Sequence, residues 1–283
     1  MFSDRIRRRM REWWGPQEGL GRTLHRRKEQ VVRRRWTDDE SKWRCCARWQ
    51  RTLANKWNAR EFARRHGCLV PELYWYGRGV WRIPFGRLPP HYVVRSVYGT
   101  STKGTYAMAE GIELFSGKAT SSADLRAHLI ATRGFVSRVP LLIEEFLRGE
   151  DGEYRLPVDY KCHMFGDVVG VIERVERLGR KTEDVRLSYY TADWEPMPHP
   201  IRTDRWGRSD PVPPPRCLGE IVAAARRLGV AYGTFVRVDL YATDRGCVFG
   251  EFTPTPTAGN GYTAFADEYL GALWRSAFPA EPR

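Results

Sequence analysis

What this chain lacks narrows it first. No apolar run approaches the roughly 20 residues that a membrane-spanning helix needs. The first residues are rich in Arg and show no apolar segment of the kind a secretory signal carries, so none is expected there. Cysteine is sparse, with six residues at 45, 46, 68, 162, 217 and 247. No pair is spaced C-x-x-C and no spacing resembles a zinc site, so each reads as a small core residue. Scattered thiols suit a reducing compartment, and the expected location is cytoplasmic, free or at the inner face of a membrane. The phosphate-loop pattern G-x-x-x-x-G-K-[ST] is absent. Neither a Ser-His-Asp nor a Cys-His arrangement stands out. His25, His66, His91, His128, His163 and His199 lie far apart in the chain, and none is assigned a role.

What is present starts with charge. The chain has 283 residues, 42% of them hydrophobic, which supports a real core in one large domain or two smaller ones. Its formal net charge is +13, unevenly spread. Residues 1–66 hold 20 of the 47 Lys and Arg but only 8 of the 34 Asp and Glu, and the rest of the chain is nearly balanced. The basic stretch also carries Trp13, Trp14, Trp36, Trp43, Trp49 and Trp57. Basic residues interleaved with aromatics can grip nucleic acid, an anionic membrane surface or an acidic polymer acceptor. They can equally be amphipathic helices with Arg outside and Trp packed inward, and the Trp spacing is roughly helical. Both readings stay open.

Residues 1–66 read mostly as helix. Thr37 and Glu40 form a capping box before a helix from Trp43 to Arg65, which Gly67 ends. Strands are expected at 73–76, 91–97, 105–108, 141–147, 161–165 and 168–173, with helices at 123–132, 216–228 and 265–274. Residues 196–215 hold seven prolines and read as a loop. Strands and helices mix without a regular βαβ period, which points to the α+β class.

The stretch 235–253, FVRVDLYATDRGCVFGEFT, carries the sharpest chemistry. Two apolar strands flank a hairpin-type turn, and each holds one acid, Asp239 and Glu251. If both acids share a face they can hold Mg²⁺, which favours oxygen ligands, keeps waters and bridges to phosphate. Arg237 is two residues before Asp239 and shares its face. The alternative is two solvated acids beside a salt bridge. The turn 98–104 between two strands is rich in Gly, Ser and Thr. It can fold over phosphates, with Arg95 and Lys103 supplying charge, or be a plain surface hairpin. Leu141 to Leu147 is an apolar strand running into acids. Its end can bind an adenine edge through the backbone, with Glu153 or Asp159 on the ribose, or it is an edge strand with solvated glutamates. Lys161 points opposite to Tyr160, either into a nucleotide cleft or out to solvent.

Taken in order, the segments N-K-W-x-x-R-E-F, L-P-x-x-Y-V-V-R, a glycine turn, L-I-E-E-F-L, D-Y-K-C-x-x-F-G, D-W-E-P-M-P, R-V-D-L-Y and F-G-E-F-T-P-x-P resemble the ATP-grasp superfamily. They are most similar to its TupA-like branch, named for teichuronopeptide biosynthesis, over about residues 53–275. The resemblance implies an ATP-grasp fold, two α+β lobes around a nucleotide cleft, preceded by a basic helical segment. The implied division is 1–52 for that segment, 53–90 for an α/β part of the body, 91–146 for the small lobe and 147–283 for the large lobe. Arg95 stands where the family usually has a phosphate-contacting lysine, and Gly99 to Gly104, including Lys103, match its glycine-rich loop. Glu144, Glu145, Phe146 and Leu147 match the adenine hinge, and Asp159 and Lys161 belong to the D-Y-K segment. Arg237 matches the phosphate-side arginine, and Lys161 and Arg237 are the implied catalytic cations. Asp239 and Glu251 match the magnesium ligands, and Thr253 stands where most ATP-grasp enzymes have asparagine. The implied cofactors are ATP and Mg²⁺. The implied activity is carboxylate–amine ligation through an acyl phosphate, on an amino acid and a cell-surface polymer precursor or peptide. A kinase on the same fold and a degenerate module binding an anionic partner are the alternatives. Replacing either metal-facing acid by its amide is expected to cut turnover and leave the fold intact.

Overall fold

A computed structural model describes residues 5–14, 32–99, 104–132, 139–179, 181–203 and 207–279. Among these residues two six-stranded sheets organise the fold. The first contains β1 (Leu73–Gly77), β2 (His91–Ser96), β3 (Thr105–Ala109), β4 (Ile112–Glu113), β5 (Lys118–Ala119) and β6 (Leu141–Glu145), in the order β1-β6-β2-β3-β4-β5. The second contains β7 (Asp159–Phe165), β8 (Val168–Arg177), β9 (Val185–Tyr190), β10 (Gly207–Arg208), β11 (Val236–Thr243) and β12 (Gly246–Thr253), in the order β10-β9-β8-β7-β11-β12. Apart from the parallel β9–β10 pair, their ladders are antiparallel. Helices α1 (Arg5–Trp14), α2 (Glu40–Trp43), α3 (Lys56–Arg65), α4 (Ser122–Ala131), α5 (Leu218–Tyr232) and α6 (Ala264–Ala277) complete the α+β architecture.

The second sheet shows how sequence alternation builds a site. Val236, Val238 and Leu240 of β11 are each fully buried and share one core with Ala224, Ala225 and Leu228 of α5. Burying such side chains contributes about 1.5–3 kcal/mol each. The helix lies so close that a Cβ on Gly229 would overlap the Gly166 carbonyl and crowd Met164. Arg237, Asp239 and Tyr241 therefore point to the other face. Over one end of that face lies α6, whose Trp274 ring centroid is 4.9 Å from Phe235 and 6.2 Å from Phe165. On α6 rests α1, through buried Ile6 and Met10, and the Ile6 N–H donates to Asp267 Oδ1 at 2.8 Å.

The expected helix from Trp43 to Arg65 is broken. Arg48 takes a left-handed backbone (φ 63°), a 3₁₀ turn follows at Trp49–Ala54, and Asn55 starts α3 by accepting from the Trp57 and Asn58 N–H groups. Asn is a strong N-cap, and that local preference outweighs the helical spacing of the tryptophans. The Thr37 capping box does not form; Asp39 is the N-cap of α2 and makes no side-chain cap bond. Gly67 (φ 69°) ends α3 as expected.

The tryptophans divide between core and surface. Trp43 is fully buried, with its ring 5.4 Å from Phe62, and Trp49 packs on Phe62 and Tyr232. Trp36 is 44% exposed, with Arg64 over its ring at 5.3 Å. The side chains of Trp13 and Trp14 and the whole of 15–31 lie outside the described residues. Trp43→Ala is accordingly expected to cost ~3–5 kcal/mol in chemical denaturation. Trp36→Ala should cost about 1 kcal/mol or less, the value of an exposed cation–π contact. Among the described residues no helix is long and apolar enough to cross a membrane.

Candidate functional site

The site begins at an irregularity in the β11–β12 hairpin. From the turn outward the ladder pairs Thr243 with Gly246, Ala242 with Cys247, Tyr241 with Val248 and Leu240 with Phe249. Continued without a break, it would set Asp239 opposite Gly250 and turn Glu251 toward the apolar face with Val238. Instead Asp239 pairs with Glu251, and Gly250 is the extra residue of a β-bulge. Glycine suits the place, because a Cβ there would lie 2.8 Å from the Tyr241 ring and 3.0 Å from the Asp239 carbonyl oxygen. The bulge thus puts both acids on one face, since directly paired residues point the same way.

Neighbouring strands extend that face into rows. One row runs Glu173, Lys161, Asp239, Glu251 across β8, β7, β11 and β12. Beside it lie His163, Arg237 and Thr253 on one side and Asp159 and Tyr241 on the other. Arg237 grips Asp239 with both arms, Nε to Oδ1 at 2.7 Å and Nη2 to Oδ2 at 2.8 Å, and Nη2 also donates to Thr253 Oγ1 at 3.1 Å. Lys161 Nζ lies 2.5 Å from Asp239 Oδ2 and 3.1 Å from Asp159 Oδ2. Lys56, at the start of α3, forms an ion pair with Glu251.

The first sheet reaches the same region. Arg95 Nη2 lies 2.7 Å from Glu144 Oε2, and Arg60 lies 3.7 Å from the other oxygen of Glu144. Glu144 is 2% exposed, and β6 runs between β1 and β2, so neither an edge strand nor a solvated Glu144 is found. Glu145 accepts from the Glu72 N–H at 3.0 Å and from Arg245 at 2.7 Å, and Arg148 pairs with Asp244, tying the end of β6 to the β11–β12 turn. Phe146 and Leu147 are buried. The Lys56 N–H donates to the Val97 carbonyl at 2.9 Å, so the start of α3 spans both sheets. The Gly99 N–H closes a turn on Ser96 O at 3.2 Å, and Gly104 has φ 73°. Lys103 and the rest of that loop, 100–102, lie outside the described residues.

The charges offset one another on a face where Asp239, Lys161 and Glu173 are buried and Glu251 is partly exposed. Burial alone would raise the Glu251 pKa, but Lys56 and Lys161 outweigh it and hold the carboxyl at about 2. Burial would lower the Lys161 and Arg237 values, but Asp159 and Asp239 raise the first and Asp239 the second. Arg95 is likewise raised, the pull of Glu144 exceeding the effect of burial. Among the described residues no three His, Cys, Asp or Glu side chains gather as a ready metal cage. The oxygens on offer are the Asp239–Glu251 pair and the Thr253 hydroxyl.

Several residues of this face were not singled out by their sequence pattern. Lys56 meets an acid 195 positions away, and no local spacing can signal that. Glu173 sits in the apolar run of β8. His163 had a signal: it follows Asp159 and Lys161 at the strand period of two.

A family model described as TupA-like ATPgrasp matches residues 75–275. The chain belongs to the TupA-like ATP-grasp family. No curated protein sequence matches it significantly. Among solved structures this TupA-like chain is similar to the ATP-grasp ligase PsnB complexed with minimal precursor, at 12% identity and TM-score 0.47, over 81% of this chain and 61% of that one. It is similar to D-alanine–D-alanine ligase from Bacillus anthracis complexed with ATP, at 14% identity and TM-score 0.48, over 80% of this chain and 68% of that one. A RimK domain ATP-grasp protein from Sphaerobacter thermophilus DSM 20745 shares 14% identity at TM-score 0.47, over 81% of this chain and 68% of that one. The TupA-like chain thus spans about three fifths of the length of PsnB. Arg95, Lys161, Arg237, Asp239, Glu251 and Thr253 fall inside the segment matched by the family model, whereas Lys56, Arg60 and α1 precede it.

Proposed function

We propose that this chain is an ATP- and Mg²⁺-dependent carboxylate–amine ligase. The observation that carries the reading is the Asp239–Glu251 cross-strand pair, flanked by Lys161 and Arg237 on one buried sheet face of an ATP-grasp family member. Asp239 and Glu251 would hold the metal, with the Thr253 hydroxyl as a weaker third oxygen. The donor set fits, because two hard carboxylates already gather positive charge between them. Bound there, magnesium would supply charge neutralisation for the phosphates of ATP. Lys56, Lys161 and Arg237, released from the acids, would be free to hold phosphate oxygens by charge-assisted hydrogen bonds. Arg95 and the 99–104 turn, with Lys103, would cover the phosphates. The backbone of Glu145 to Leu147, beside Glu144, would take the adenine edge, and Asp159 a ribose hydroxyl.

In this reading the nucleotide lies between the 91–146 and 147–283 lobes, and 53–90 braces both. A substrate carboxylate attacks the terminal phosphorus, giving ADP and an acyl phosphate. An amine then forms the C–N bond, and phosphate leaves. Positioning and fixed charge do this work without a protein nucleophile. The substrates are an amino acid and a cell-surface polymer precursor or peptide. Purified protein should be stabilised by Mg-ATP, by ~4 kcal/mol at a thousandfold excess over Kd. It should also release ADP and phosphate when given carboxylate and amine together. No shift at millimolar Mg-ATP overturns the reading, and a stable phosphorylated product in place of an amide turns it into a kinase.

A further inference from the structure

The proline-rich stretch before α5, which the nucleotide reading leaves unused, has a conformation of its own. In D-P-V-P-P-P-R, residues 210–216, the rings of Pro211, Pro213, Pro214 and Pro215 fix φ at about −65°. Asp210, Val212, Pro213 and Pro214 each precede a proline, which pushes their backbone to the extended region. Together these restraints specify a polyproline II helix with three residues per turn, and the structure shows neither α-helix nor strand over 209–215. Exposure repeats with that period. Val212 is half-buried and Pro215 buried, whereas Pro211, Pro213, Pro214 and Arg216 are exposed. Val212 and Pro215, one turn apart, form an inner edge. Pro211 with Pro214, and Pro213 with Arg216, form two outer ones.

The inner edge is held along its length. The Ser209 N–H donates to Leu187 O on β9 at 3.0 Å. The Val212 N–H donates to the Tyr190 hydroxyl at 2.9 Å, and Trp194 Nε1–H donates to the Val212 carbonyl at 2.8 Å. The Tyr190 and Trp194 rings are stacked, with centroids 4.0 Å apart and planes 5° from parallel. Trp194 reaches this position from a left-handed backbone (φ 66°), which costs ~1–3 kcal/mol at a non-glycine residue. Pro215 O accepts from the Leu218 N–H at 3.1 Å as α5 begins, and Arg216 Nη1 donates to Glu150 O at 3.2 Å. The chain thus grips one edge of its polyproline helix with a Tyr–Trp clamp and strains its backbone to do so. A plain connection between β10 and α5 needs no such clamp.

The outer edges define what fits them. Proline has no N–H, so these edges present apolar rings and carbonyl acceptors. Their complement is a groove of aromatic side chains whose Trp N–H and Tyr O–H groups donate, the chemistry of the inner clamp applied from outside. Pro211-x-x-Pro214-x-Arg216 sets two rings one turn apart and a guanidinium beyond them, which calls for a carboxylate at one end of that groove. A polyanion fits poorly, because the ridge offers one cation and Asp210 stands at its other end. A helix already fixed by its prolines and its clamp has little conformational entropy left to lose on docking.

We propose that residues 211–216 are a docking ridge for a protein domain with an aromatic, acid-ended groove of the SH3 type. Tyr190 lies in one ladder row with Ile172, Cys162 and Val238, so the clamp belongs to the α5 face of the second sheet, opposite to Asp239. Docking therefore leaves the nucleotide site free, and the inference does not depend on the ligase reading.

The test titrates the full chain by calorimetry with a panel of purified SH3 domains that select P-x-x-P-x-R peptides. At least one should bind. Its affinity should fall about tenfold or more in Pro211→Ala, Pro214→Ala and Arg216→Ala, the loss expected of a principal anchor. The replaced side chains are exposed, so circular dichroism and the melting temperature should stay near those of the unaltered chain. The same SH3 domain with the tryptophan of its groove replaced should not bind. Absence of binding across the panel overturns the ridge. Binding that survives all three replacements, or that survives loss of the groove tryptophan, overturns it equally. A lowered melting temperature in the three variants with no domain bound is the result for a stiff connection that serves the fold alone.

Discussion

Asp239→Asn is expected to lower ATP turnover by at least ~10²–10³-fold and to destabilise the ligand-free protein at the same time. The carboxylate is 1% exposed and accepts from both arms of Arg237 and from Lys161. An amide removes the anion that Arg237 grips and leaves Lys161 with Asp159 alone, and breaking a buried pair from one side costs ~3–5 kcal/mol. The activity loss follows from removing a charge aimed at the metal, where electrostatic stabilisation acts strongly. A double variant, Asp239→Asn with Arg237→Met, separates the two effects. It removes the stranded guanidinium charge, so part of the stability should return while turnover stays low. Urea denaturation and ADP release on the three proteins read this directly, and wild-type turnover in Asp239→Asn would refute the metal assignment. From sequence alone, acid-to-amide replacement is expected to leave the fold intact. The structure revises that, because the acids double as counter-ions when no ligand is bound.

Gly250→Ala is expected to damage the site without touching a charged group. The new methyl would press on the Tyr241 ring at 2.8 Å and on the Asp239 carbonyl at 3.0 Å. Relief requires the bulge to shift, and Glu251 moves with it, away from Asp239 and Lys56. A displacement near 1 Å in a catalytic group can cost ~10²-fold in rate, so turnover should fall by about that factor and Mg-ATP stabilisation should weaken. Gly86→Ala is the control: nothing lies within 4 Å of the added carbon, and little should change. Equal behaviour of the two variants in melting and turnover would mean that the bulge does not set the position of Glu251.

These residues also divide what could be read from the chain. The α+β class, the strands β2, β3, β7 and β8, the helix α4 and the β11–β12 hairpin follow from local rules. Alternation, turn residues and caps act over a few positions, and the sequence displays them. The ordered motifs from Asn55 to Pro256 carried the family as well, because their order survives where any single motif is common. The break at Arg48 and Asn55 is also local, but there a capping preference competed with helical spacing, and spacing alone misled.

What the tertiary structure decided lies at longer range. Strand period alone cannot say that Glu251 faces Asp239, because one extra residue, Gly250, inverts the parity of everything after it. Whether a bulge forms depends on how Tyr241 and the β7 neighbours pack, which no window of sequence contains. The same holds for charge. Lys56 neutralises Glu251 and Arg95 engages Glu144 only because α3, β2, β6 and β12 converge. Sequence determined which elements form and which family they compose. Coulomb interactions and packing between segments far apart in the chain, which exist only once the sheets face each other, determined how the site is charged, where it is closed and which face its acids share.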